Sequence, residues 1–152
     1  MAFNVFLEKG EILDLPTDDE IKQIFNTKRF SFHHATKNRL TYKLTNLQGV
    51  QHLTNITELN ISEHAINSTK GIEHLDKLNY LGCSRNELSK LEGIENLTAL
   101  KQLYVAKNNL SGSEILRVVS SISLNLLDCR ENNLTDDSKK QLQALNIKEL
   151  KL

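Results

Sequence analysis

Two cysteines, five histidines and three tyrosines are the residues of this sequence best suited to chemistry or specific recognition. Cys83 and Cys129 are of a type that forms disulfides or acts as a nucleophile. His52 and His74 stand 22 residues apart (74 − 52), and His33 and His34 are adjacent. A zinc site needs three or four ligands, and no cysteine or carboxylate spacing completes either pair. Asp128 and Glu149 are candidates for a carboxylate pair, but Lys151 beside them argues against general acid–base work. No HExxH, phosphate-cradling glycine loop or nucleophile elbow is present. The expectation is a chain that is not an enzyme and uses no cofactor and no metal. What remains is recognition: Tyr80, Tyr104 and Leu126 as apolar anchors, with Arg85, Lys107, Asp128 and Arg130 as charges that orient a partner.

Those residues act together only if the fold assembles them. The chain has 152 residues, 39% of them hydrophobic, which suffices for one domain's core. Lys+Arg and Asp+Glu number 19 each, for a net charge of zero. A surface for nucleic acid or an anionic membrane needs a basic excess, so neither partner is expected. No apolar run approaches the roughly 18 residues of a membrane span. The opening MAFNVFLEKGEILDLP lacks the basic and long apolar regions of a signal peptide. The expected location is the cytoplasm.

A repeat supplies the organisation. ITELNISEHAI, LNYLGCSRNEL, LKQLYVAKNNL and LNLLDCRENNL begin at Ile56, Leu78, Leu100 and Leu124, and a shorter IKELKL begins at Ile147, giving spacings of 22, 22, 24 and 23. Counting the first residue of a unit as 0, positions 3 and 5 alternate with polar residues and read as a short strand with one buried face. Position 8 is Asn in three units and His64 in the first. Gly49, Gly71 and Gly93 mark turns in the second half of the early units. After residue 110 that half reads as helix, from Glu114 to about Ser121 with Ser113 as N-cap, and from Thr135 as N-cap to about Leu145. Cys83 and Cys129 share position 5 two units apart, with Val105 between. Their Cα atoms are then about 9–10 Å apart, beyond the roughly 7 Å limit of a bridge, so they are expected as buried free thiols.

The pattern L-x-x-L-x-L-x-x-N-x-L resembles the leucine-rich repeat. The 22-residue units ending in GIENL look like the short bacterial repeats of internalins, and the last two look like ribonuclease-inhibitor repeats. This resemblance implies an α/β solenoid over residues 40–152, a right-handed superhelix with a parallel sheet on its concave face. It also implies that Asn86, Asn108 and Asn132 form a structural ladder bonded to the backbone at a bend, with His64 as a weakened terminal rung. Functionally it implies a non-catalytic module that binds another protein through the concave face, as a bacterial regulator, inhibitor or effector, cytoplasmic or delivered to a host cytosol by a signal-independent route. The alternative is the recognition domain of a larger enzyme whose catalytic segment is outside this chain.

In this arrangement position 2 carries Glu58, Tyr80, Gln102, Leu126 and Glu149 along the concave face, and position 4 carries Asn60, Gly82, Tyr104, Asp128 and Lys151. Residues 1–39 read as an N-terminal cap, with a hairpin in AFNVFLE–KG–EILDLP and a helix over 18–26 opened by the capping box of Thr17 and Glu20. Backward extrapolation puts Lys37 and Arg39 in core positions, so LTYKL (Leu40, Tyr42, Leu44) is expected to supply the first strand by a register shift. Ile147–Leu152 would be an edge strand, protected by Lys148 and Lys151, or the end of a fragment, or paired in a homodimer.

Overall fold

Each unit has one apolar residue between two outward-facing ones at its strand, as in Glu58-Leu59-Asn60, so the strand buries one face only. A three-residue strand cannot hide that face alone, and stacking of units does it instead. In the computed structural model, which describes residues 43–152 together with 26, 28–31, 36, 37, 40 and 41, the strands are β1 (Arg29–Ser31), β2 (Thr36–Lys37), β3 (Leu40–Thr41), β4 (Glu58–Asn60), β5 (Tyr80–Gly82), β6 (Gln102–Tyr104), β7 (Leu126–Asp128) and β8 (Glu149–Lys151). Six of them form one parallel sheet in the order β1-β4-β5-β6-β7-β8. Leu59, Leu81, Leu103, Leu127 and Leu150 lie in register across it. The first four are fully buried, as are Ile61, Cys83, Val105 and Cys129 behind position 5. This is the α/β solenoid of leucine-rich repeats.

Convex connections follow the local sequence. Gly93 sits at φ 83° and caps a single 3₁₀ turn, Ile94–Asn96, a left-handed conformation that glycine adopts without steric cost. Gly49 does the same before Val50–His52. After residue 110 two helices take over, α1 (Gly112–Val119) and α2 (Asp136–Gln143). Thr135 caps α2 as expected. For α1, Ser111 and not Ser113 is the cap, and the helix ends at Val119. The reason is the S-x-x-E spacing: Ser111 Oγ accepts from Glu114 N at 3.2 Å, and Ser111 is held extended by a parallel bridge to Asn133. The helices pack closely at Gly112, where an added Cβ would collide with the Ser138 side chain.

The N-terminal expectation needs correction. Leu40–Thr41 does not join the parallel sheet; it pairs antiparallel with Thr36–Lys37. The first rung of the sheet is Arg29–Ser31, with buried Phe30 opposite Leu59. That step is 29 residues (59 − 30) against 22 (81 − 59) for the next, and the extra seven accommodate the small hairpin. The sheet therefore starts upstream of residue 40. The regular repeat is established by Leu44, whose carbonyl accepts from Ala65 N as Ile66 O does from Glu87 N. The proposed hairpin in the first 16 residues, the helix over 18–26 except Asn26, and His33 and His34 lie outside the described residues.

Where strand turns into convex segment, several backbone groups lose their sheet partners inside the protein, and a buried unpaired amide or carbonyl is costly. Asn108 answers four of them. Its Oδ1 accepts from Leu88 N at 3.0 Å, and its Nδ2 donates to Cys83 O, Val105 O and Ala106 O at 3.0, 2.9 and 3.3 Å. Asn86 and Asn132 repeat the arrangement with Ile66 N and Leu110 N. His64 is a working rung: its Nδ1 accepts from Leu44 N at 3.3 Å, and the ring is buried. The residues just before the ladder, Glu63, Arg85, Lys107 and Glu131, are all left-handed, with φ between 53° and 68°. Asn108→Ala should lower unfolding free energy by about 2–4 kcal/mol in urea titrations, whereas Asn67→Ala, at an exposed site, should stay within about 0.5 kcal/mol of wild type.

Candidate partner-binding surface

The outward side of the sheet is set by the pairing register. Tyr80 stands beside Gln102, and Tyr104 beside Gly82, so the two tyrosines are diagonal neighbours. Their ring centroids are 5.3 Å apart with planes tilted by 40°, within the range of favourable aromatic pairs. Both are half-buried. Gly82 lets them settle: a Cβ there would lie 2.9 Å from Asn60 Oδ1 and 3.1 Å from the Tyr80 hydroxyl. Burial pushes the Tyr80 phenol pKa up, and neighbouring Tyr104, Cys83 and Glu58 add to it. The hydroxyl thus stays protonated and available as a donor.

Around the pair, charges are matched. Arg29 bonds Glu58 at 2.9 Å, Arg85 bonds Glu63 at 3.3 Å, Lys107 bonds Glu131 at 3.1 Å and Lys151 bonds Glu149 at 2.8 Å. Asp128 is buried and receives both arms of Arg130, Nε to Oδ1 at 2.9 Å and Nη2 to Oδ2 at 2.7 Å. That double hydrogen bond is the main cause holding the Asp128 carboxyl below its usual range, against the opposing effect of burial.

Of the residues assigned from sequence, Tyr80, Tyr104, Arg85 and Lys107 lie where expected. Leu126 does not extend an exposed patch. It is only 9% exposed, set between Gln102 and Glu149 in register. Asp128 is likewise fixed, and pairs along its own chain with Arg130 rather than sideways with Lys151. A bidentate guanidinium two residues on outcompetes a flexible ammonium on the next strand. Asn60 was not singled out from sequence: its Oδ1 accepts from Ser62 N at 3.1 Å and lies close against Gly82, and its place beside Gly82 in the position-4 row was a usable signal. The sequence reading also missed Arg117, which bonds Glu114 at 2.7 Å and Glu95 at 3.3 Å and so ties α1 to the preceding unit.

Cys83 and Cys129 are free and buried, each thiol pushed up to about 12 chiefly by desolvation. Among the described residues no three His, Cys, Asp or Glu side chains are grouped to hold a metal. No helix among them is long and apolar enough to cross a membrane.

Comparison with solved structures agrees with this architecture. An internalin of Listeria monocytogenes, inlF, superimposes with a TM-score of 0.65 at 23% identity, over 72% of this chain and 32% of that one. Internalin C2 of the same species gives 0.57 at 22% identity, over 71% and 46%. A leucine-rich-repeat protein of Leptospira interrogans gives 0.69 at 26% identity, over 93% and 35%. No family model and no curated protein matches the sequence. The chain has the leucine-rich-repeat solenoid fold of these structures. It spans a third to a half of the length of these structures.

The Asp128–Arg130 pair has a pH signature. A carboxyl held low in the folded state contributes stability that is present above its ordinary value, near 3.8, and is lost as pH falls through the folded value. Asp128→Asn should therefore lower stability at pH 7 by about 1–2 kcal/mol, allowing for the exposed Arg130. In urea titrations the gap from wild type should narrow steadily below about pH 4.

Proposed function

We propose that this chain is a non-catalytic module that binds another protein through the outward face of its sheet, with Tyr80 and Tyr104 at the centre of the contact. The observation that carries this is the tyrosine pair itself. Two large rings tilted against each other beside a glycine, half out of solvent and ringed by charged residues, have the make-up of a binding hot spot. The surrounding ion pairs favour it, because charges already matched within the chain are held in place before the partner arrives and lose little freedom on contact. Arg85 and Lys107 at the rim give orientation and selectivity, while Asp128 and Arg130 brace the floor. A bacterial regulator, inhibitor or effector acting in the cytoplasm or a host cytosol fits this reading.

The test is affinity capture from lysate of the source organism, followed by mass spectrometry and titration with the captured protein. Tyr80→Ala/Tyr104→Ala should keep the wild-type circular dichroism and lose the captured protein. Tyr104→Ala alone should weaken binding at least about tenfold. Retention of the same partner at unchanged affinity by the double variant would refute this use of the face.

A further inference from the structure

Of the four side chains that bond the backbone at the bends, three are amides, which take up no proton near neutral pH. His64 is the exception. Its Nδ1 accepts from Leu44 N at 3.3 Å, where Asn86, Asn108 and Asn132 accept through Oδ1 from Ile66, Leu88 and Leu110 N at 3.0 Å. A ring nitrogen that accepts carries no hydrogen, so the proton of the neutral imidazole sits on Nε2. A second proton can enter only at Nδ1. There it points at the Leu44 N–H, a donor facing a donor, and the bond is lost.

Burial adds to this conflict. The ring is only 2% exposed, and a charged ring so placed gives up most of its hydration. The ionisable residues beside it in the chain, next to Leu44 and on the following rung are Glu63, Lys43, Arg85 and Glu87, all with exposed side chains. Glu63 is engaged by Arg85 at 3.3 Å. From the preceding strand, Lys28 and Arg29 are exposed as well. Among the described residues the one buried charged side chain is Asp128, three strands along the sheet from β4. Protonation therefore favours a conformation in which the ring reaches water.

Leu44 is where the irregular stretch rejoins the repeat. Its carbonyl accepts from Ala65 N at 2.9 Å, and the β2–β3 hairpin lies just before it in the chain. We propose that His64 is a proton-released latch: taking up a proton frees Leu44 from the bend and loosens the foot of the hairpin, while the amide rungs beyond stay closed. An imidazole in water takes up its proton near pH 6.5. The open form binds that proton and the closed form does not, so opening gains ground as pH falls. The latch is shut at neutral pH and released by mild acid.

Amide hydrogen exchange of the 152-residue chain, resolved by NMR and corrected for the intrinsic rate at each pH, tests this. Protection of Leu44 N–H should fall about tenfold from about pH 7.5 to 5.5, and about thirtyfold by about pH 5. Leu88 and Leu110, whose acceptors are amides, should change by less than about twofold. His64→Asn installs the ladder residue and should remove the pH dependence at Leu44. Nitrogen chemical shifts of the wild-type imidazole should show Nδ1 without a proton at neutral pH. Leu44 protection that stays flat in the wild type overturns the proposal, as does a pH dependence that survives His64→Asn. A protonated Nδ1 at neutral pH does so too, and so does an equal fall at Leu88, since the opening is then not local.

Discussion

The fold depends on the hydrogen bonding of one polar side chain per turn, at the bend after each strand. Parallel strands three residues long supply few ladder bonds, and the chain must bend sharply at the end of each. At that bend the backbone of two successive units would be left unpaired inside the protein. Asn86, Asn108 and Asn132 each join a donor of the preceding unit to carbonyls of both units. The apolar positions hold units together without direction, and it is this seam that fixes register. A slip of one residue would turn Leu81 out of the core and Tyr80 into it.

The seam imposes a strain on its neighbours. Reaching the Asn position takes Glu63, Arg85, Lys107 and Glu131 through a left-handed backbone conformation that costs a non-glycine residue about 1 kcal/mol or more. Three of these residues recover part of that cost directly: Glu63, Arg85 and Lys107 donate their N–H to carbonyls of the following unit, at 2.8–2.9 Å. The fixed backbone also sets out a row of charges at the rim of the outward face. Glu63 with Arg85, and Lys107 with Glu131, pair across units because the row is spaced like the strands. A structural requirement of the bend thus determines where the face carries charge.

Sequence periodicity revealed the repeated part of this arrangement because each core position recurs at fixed spacing and admits few residue types. It placed Tyr80 and Tyr104 side by side for the same reason. It failed where tertiary context overrides the period. The first rung, Arg29–Ser31, lies seven residues out of phase, since a surface hairpin can be inserted between rungs at little cost in core packing. Ser111 prevails over Ser113 as cap because a neighbouring unit holds it extended. Leu126 has the sequence position of an exposed anchor, and its burial is set by the folded sheet and not by its place in the repeat. His64 looks like a broken rung by residue type but works as one, because an unprotonated imidazole nitrogen accepts a hydrogen bond much as an amide oxygen does.

The same physics explains why the surfaces left for other molecules lie where they do. Inside the stack, every outward strand residue has neighbours about 4.8 Å away on both sides, and charges there find partners within the chain. A face neutralised in this way attracts no particular sign of ligand over distance. Recognition then falls to shape and to apolar contact, which on this face means the rings of Tyr80 and Tyr104.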